Sequence, residues 1–214
     1  MDDRKNVLII GHSFVRHLND FIDKGATENH EFDIKTDRIS TRYIGIPGGR
    51  ASDIYSIINS QIRRQKSLLV ILLIGGNDIS DTRTNPGRTA DTIMDIARAL
   101  LRKGFKYVVV SQIIPRNTGE HFINRMIECN LRLIALCSIE DQIIFWAHQR
   151  VNRNPNIHSR DRTHLNETGN RLLYRSLKNA LSHTLAHHRE NEPCRCRSTY
   201  QPEPGRRRGG RRFR

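Results

Sequence analysis

The sequence predicts an α/β protein in which five parallel strands form one sheet with helices on both faces. Two observations predict it. Five short apolar segments rich in Val and Ile alternate with longer stretches of helical period, which is the pattern of repeated βαβ units. Those segments are continuously apolar instead of alternating, as strands are when helices cover both sides of a sheet. In chain order, strands are expected at residues 6–10, 42–46, 68–74, 107–112 and 142–146. Helices are expected at residues 13–23, 51–65, 89–103 and 122–138, with a last one at 166–187. In the fourth helix, Ile123, Met126, Ile127, Asn130, Leu131, Ile134 and Leu136 read as its core-facing stripe.

At roughly 150 residues per domain, the 214-residue chain holds one domain and a tail. From residue 189 onward the composition turns to Arg, Pro, Gly, Glu and Cys, with almost no large aliphatic side chain to bury. The folded domain is therefore expected over 1–188 and a disordered, Arg/Gly-rich basic tail over 189–214. Nine arginines against three glutamates give the tail a net charge of +6, which leaves +8 of the total +14 on residues 1–188. A polyanion is the first partner such a charge brings to mind.

The longest apolar run, residues 68–74, is seven residues long, against about 20 for a membrane span. Only four apolar residues, Val7 to Ile10, precede Gly11, against the ~7–15 of a secretory signal. An intracellular protein, cytoplasmic or nuclear and not secreted, is expected. Cys129 and Cys137 fall within one helix and read as core thiols, while Cys194 and Cys196 form a lone C-x-C; none matches a disulfide framework or a zinc pattern. His183 and His187 share a helix face without a third ligand, so no metal and no cofactor is expected.

In an open parallel sheet, ligands collect where strands end and helices begin. Four such places hold unusual residues. The first strand ends in Gly11, His12 and Ser13, which puts a hydroxyl at a strand-to-helix turn where backbone N–H groups are unpaired. Taken alone, Ser13 also reads as an ordinary helix cap. The second strand runs into Gly45 to Arg50, where Gly48 and Gly49 let the backbone approach a ligand. The third ends in Gly75, Gly76, Asn77 and Asp78, pairing backbone freedom with an amide donor, although an Asx-turn would use Asn77 equally well. Before the final helix, Asp161 precedes His164 by three residues, so it can fold back to accept the Nδ1 proton and leave Nε2 as a base.

Together, Gly11-His-Ser13, Gly48, the Gly-Gly-Asn-Asp run with Asn77, and Asp161-x-x-His164 resemble the four blocks of the SGNH (GDSL-like) hydrolase superfamily. They stand in the family's order over about residues 6–181, and the run from Asp161 through Asn166 to Gly169 is similar to its last block. The resemblance implies a three-layer α/β/α sandwich of the SGNH, flavodoxin-like kind. It implies Ser13 as nucleophile, His164 as base and Asp161 as its orienting partner. It further implies an oxyanion hole formed by the N–H groups of Ser13 and Gly48 and the amide of Asn77. His12 stands where the family usually has Asp. The α/β-hydrolase alternative is disfavoured, because the run from Gly11 to Val15 lacks the second glycine of a G-x-S-x-G elbow.

The function expected from these residues is hydrolysis of a small or medium acyl ester, acetyl esters included, by a serine esterase. The alternative is an Oskar-like nucleic-acid-binding module on the same fold. Under either reading, RNA or single-stranded DNA is an expected partner of the tail arginines Arg206, Arg207, Arg208, Arg211, Arg212 and Arg214, in a segment suited to phosphate contact.

Overall fold

The apolar run from Val7 to Ile10 forms the middle of β1 (Lys5–Gly11), and every residue from Val7 to Gly11 is buried. The computed structural model describes residues 4–25, 29–34, 38–62, 67–154 and 156–191. After β1 the elements are α1 (Ser13–Lys24), β2 (Ile39–Gly45), α2 (Ala51–Gln61), β3 (Ser67–Leu73), α3 (Gly76–Ser80) and α4 (Pro86–Arg102). Then follow β4 (Phe105–Ser111), α5 (Glu120–Cys137), β5 (Ile143–Trp146), α6 (Gln149–Arg153) and α7 (Glu167–Asn191). The five strands form one sheet in the order β2-β1-β3-β4-β5, and every pairing is parallel. The fold is the expected α/β architecture.

Side chains alternate across a strand, so each strand feeds two cores. Leu8 and Ile10 of β1, with Val70 and Leu72 of β3, meet Ile54 and Ile58 of α2, Ile93 and Met94 of α4, and Leu133 of α5. Val7 and Ile9, with Leu69 and Ile71, meet Val15 and Leu18 of α1 and Leu173 and Leu177 of α7 on the other face. Three layers result. At roughly 1.5–3 kcal/mol for each large aliphatic side chain buried, β3, all seven residues of which are buried, anchors both cores.

The strand order turns at β1, which has β2 on one side and β3 on the other. Ligands in such sheets bind at this switch point, beyond the carboxyl ends of the strands. Gly11 ends β1 there, and a Cβ added to it would lie 2.3 Å from the Leu73 carbonyl oxygen and 2.9 Å from Val15 Cγ2. Neither the carbonyl in β3 nor the fully buried Val15 side chain can yield. Gly11→Ala is expected to destabilise the fold by at least the ~1–3 kcal/mol typical of overpacking, seen as a lowered urea midpoint. An unchanged midpoint would contradict this contact.

Several boundaries differ from the sequence reading, for physical reasons. β2 begins at Ile39, three residues before the expected start, because this edge strand is half exposed and carries Ser40 and Thr41. The helices α3 and α6 were not expected; at five residues each they are too short to show a period. The core face of α5 is Phe122, Met126, Cys129, Asn130, Leu133 and Cys137. Of the expected stripe, Met126 and Asn130 are buried as read, but Ile127, Leu131 and Ile134 are exposed. The true face runs through Phe122, Cys129, Leu133 and Cys137 beside Met126 and Asn130. Burial pushes the Cys129 thiol up to about 12 and that of Cys137 up to about 11, which suits core thiols.

The helix α7 continues to Asn191, past the expected start of the tail at residue 189, with Thr184, Leu185 and His188 buried along its inner face. Cys194, Cys196 and the arginines from Arg206 to Arg214 lie outside the described residues. Among the described residues, no helix is long and apolar enough to cross a membrane.

Candidate active site

Three segments meet at the switch point. The chain leaves β1 at Gly11 and enters α1 at Ser13, with His12 between them in extended conformation as the N-cap. His12 Nδ1 accepts the N–H of Phe14 at 3.4 Å. The capping role open to Ser13 thus falls to His12, and the Ser13 hydroxyl is left for another partner.

That partner is His164. Its Nε2 lies 2.9 Å from Ser13 Oγ, across a sequence separation of 151 residues. Its Nδ1 lies 2.6 Å from Asp161 Oδ2. The other carboxylate oxygen of Asp161 accepts the N–H groups of Thr163 and His164, at 3.0 and 2.9 Å. Arg162 takes a left-handed conformation, φ 59°, which folds the turn back on itself. The hydrogen bond to His164 and the two backbone donors hold the Asp161 carboxyl well below the usual carboxylate range, so it stays ionised.

The loop carrying this pair is pinned at both sides. Ser159 N–H donates to the His164 carbonyl at 2.8 Å, and Asn117 N–H to that of Arg162 at 2.8 Å. Asn166 Oδ1 accepts the N–H of Gly169 at 2.9 Å, capping α7, while its Nδ2 donates to the Asn156 carbonyl at 2.9 Å. A Cβ on Gly169 would sit 2.5 Å from the Ile157 carbonyl oxygen. The Asn and Gly that follow His164 therefore act on the loop's shape.

Asn77 lies in the first turn of α3, and its carboxamide is held at both ends. Nδ2 donates to the Gly49 carbonyl at 2.9 Å, and Oδ1 accepts from Arg116 Nη2 at 2.7 Å. One amide hydrogen is left over. Gly48 precedes the Gly49 carbonyl with φ 68° and is exposed. Asp78, buried, accepts the N–H of Ala51 at 3.1 Å and so ties the start of α2 to α3. The structure therefore brings the third strand exit against the glycine loop of the second, and Ser13 against His164, which Asp161 holds from its other side.

Two residues of the site were not singled out in the sequence. Arg116, beyond β4, is 7% exposed, donates to Ser80 Oγ at 2.9 Å and stacks over the rings of Phe14 and Phe122. Its segment is fixed by Asn130, which accepts the N–H of Ile113 at 2.9 Å and donates to its carbonyl at 3.2 Å. Its position at a fourth strand exit was the available signal. His17, one turn beyond Ser13, stacks on the His164 ring with centroids 4.4 Å apart. A spacing of four on a helix is what brings His17 to the nucleophile's face.

His12 is 3% exposed, and burial, with the Arg116 charge and His164 beside it, pulls its pKa down to about 3. A lowered histidine pKa means the charged form appears only below that value. His12 is therefore neutral between pH 5 and 8 and adds no charge where the SGNH pattern usually has an aspartate. His12→Gln is expected to leave the acid limb of the kcat/KM profile in place over that range. A displaced limb would show that His12 titrates with the site.

No protein-family profile matches the chain, and no curated protein matches it. Solved structures do. A GDSL-like lipase from Bacteroides thetaiotaomicron aligns at TM-score 0.67 and 18% identity, over 84% of this chain and 88% of that one. The lipase/acylhydrolase from Enterococcus faecalis aligns at TM-score 0.68 and 15% identity, over 84% and 96%. A variant of an acetyl-xylooligosaccharide esterase from Geobacillus aligns at TM-score 0.64 and 15% identity, over 84% and 95%. The chain thus has the fold of the GDSL-like, or SGNH, hydrolases, as the sequence blocks implied.

Proposed function

We propose that this protein is a serine esterase acting on short acyl esters through Ser13, His164 and Asp161. The observation that carries the reading is the continuous chain from Ser13 Oγ through both ring nitrogens of His164 to Asp161, at 2.9 and 2.6 Å. A serine hydroxyl attacks poorly until a neighbouring base takes its proton. In this reading His164 Nε2 accepts that proton as Ser13 Oγ bonds to the ester carbonyl carbon. The proton then passes to the departing alcohol oxygen, leaving an acyl-serine. Water, activated by the same nitrogen, releases the acid and restores Ser13. Asp161 fixes the tautomer and stabilises the imidazolium without taking a proton.

Negative charge on the former carbonyl oxygen is met by the N–H groups of Ser13 and Gly48 and by the spare Asn77 amide hydrogen. Hydrogen-bond donors set in place before reaction stabilise such charge without reorganising. Support for a short acyl group comes from the acetyl-xylooligosaccharide esterase among the solved structures that share this fold.

The test is a panel of p-nitrophenyl esters from acetate to long-chain acids, together with acetylated sugars, given to the purified protein and to Ser13→Ala. Turnover fastest on the short esters and lost in the variant supports the reading. No Ser13-dependent hydrolysis of any member would overturn it.

A further inference from the structure

A second cleft lies away from the triad, beside the outer strand β5, and shares no residue with the site described above. Its volume is about 430 Å³, and it is formed where β5 and α6 meet the first half of α7. Trp146 and Leu172 supply an apolar wall; Arg150, Arg175 and Asn179 line the cleft with them. No carboxylate among the described residues lines it.

The aromatic wall is fixed in place. The indole N–H of Trp146 donates to Ser176 Oγ at 3.1 Å, and that hydroxyl is held in turn by His148 Nδ1 at 2.8 Å. His148 is fully buried, so the chain from Trp146 to His148 sets the plane of the indole ring. The two arginines come from different helices, and both are exposed. Arg98, Arg132 and Arg171 are each paired with a carboxylate, whereas Arg150 and Arg175 have no such partner among the described residues.

A preset aromatic face, two uncompensated guanidinium groups and a side-chain amide form one combination of contacts. Guanidinium forks match phosphate oxygens, and the indole face accepts a stacked base of any sequence. We propose that this cleft binds single-stranded nucleic acid, one base stacking against Trp146 while Arg150 and Arg175 hold the adjoining phosphates. A duplex is excluded as the ligand, because its base faces are already stacked on one another. The cleft opens to solvent, so a strand can enter and leave it. The net charge of the whole chain, +14, favours the same partner at long range.

Trp146 is the only tryptophan in the sequence, so its fluorescence reports on this cleft alone. The experiment titrates the full-length protein with a short oligoadenylate strand at about 50 mM salt and follows that signal. Saturable quenching is expected. In the double variant Arg150→Gln, Arg175→Gln, affinity should fall at least tenfold. Its log–log salt slope should flatten by about 1.4, at ~0.7 for each phosphate that is no longer neutralised. Both replacements are at exposed positions, and equal urea midpoints would confirm an intact fold. Ser13→Ala should bind as the parent does, so the result stands apart from the esterase reading.

Three results would each overturn the proposal. One is the absence of any saturable change in Trp146 fluorescence; another is unchanged affinity and slope in the double variant. The third is quenching by AMP, or competition by a duplex of the same sequence, at the concentrations at which the strand acts. That would make the cleft a free-nucleotide pocket or a patch of plain charge.

Discussion

Ser13→Ala and His164→Ala are each expected to lower kcat by about 10³ to 10⁶, and the double variant is expected to fall no further than the worse of the two. The three side chains form one hydrogen-bonded chain: Ser13 Oγ lies 2.9 Å from His164 Nε2, and His164 Nδ1 lies 2.6 Å from Asp161. Removing the hydroxyl leaves the base nothing to activate, and removing the base leaves the hydroxyl weakly nucleophilic. Whatever rate remains would come from substrate binding and the proposed oxyanion donors, which either loss leaves in place. Folding should survive both changes. His12, not Ser13, caps α1, and the loop around His164 is held by backbone bonds and Asn166. The check is steady-state hydrolysis of a short p-nitrophenyl ester beside urea unfolding curves. Steady turnover by both single variants at the parent's rate would remove the triad from the mechanism.

The buried strands could be read directly from the sequence because each is a short, continuous apolar run. β3 is buried along its whole length, and the expected and observed spans differ there by one residue at each end. β2 was harder to read for the opposite reason: as a half-exposed edge strand it carries polar residues that hydropathy discounts. The α5 face was only partly legible: Met126 and Asn130 are buried as expected, but the rest of the face is Phe122, Cys129, Leu133 and Cys137, while Ile127, Leu131 and Ile134 face outward. Burial there is set by the angle at which the helix meets the sheet, and a single sequence does not contain that angle.

The site shows the same division. Ser13, Asn77, Asp161 and His164 stand out as candidates because each belongs to a short local pattern at a strand exit or before a helix. Arg116 and His17 meet Asn77 and His164 through contacts that exist only in the fold. Nothing near Arg116 in sequence says that it will meet Asn77, 39 residues away. Nor does the run containing His12 say that burial and a guanidinium will keep its ring neutral, since both arrive from distant parts of the chain.

Asn77→Ala should reduce kcat by roughly 10² to 10³, with a much smaller change in KM. The proposed partner of the Asn77 amide is an oxyanion that exists only as the tetrahedral intermediate forms, so its loss weakens transition-state binding more than substrate binding. The carboxamide is oriented in advance: Gly49 takes one amide hydrogen, and Arg116 donates to Oδ1, which also draws electron density from the nitrogen. A raised KM with unchanged kcat would instead assign Asn77 to ordinary substrate contact. Arg116 sharpens the test. If the guanidinium acts through Asn77, Arg116→Met should lower kcat in the parent, yet cost almost nothing further in the Asn77→Ala background. A double-mutant cycle measures that coupling directly. Equal losses from Arg116→Met in both backgrounds would mean that Arg116 contributes through its stacking on Phe14 and Phe122, holding the floor of the site and not the donor.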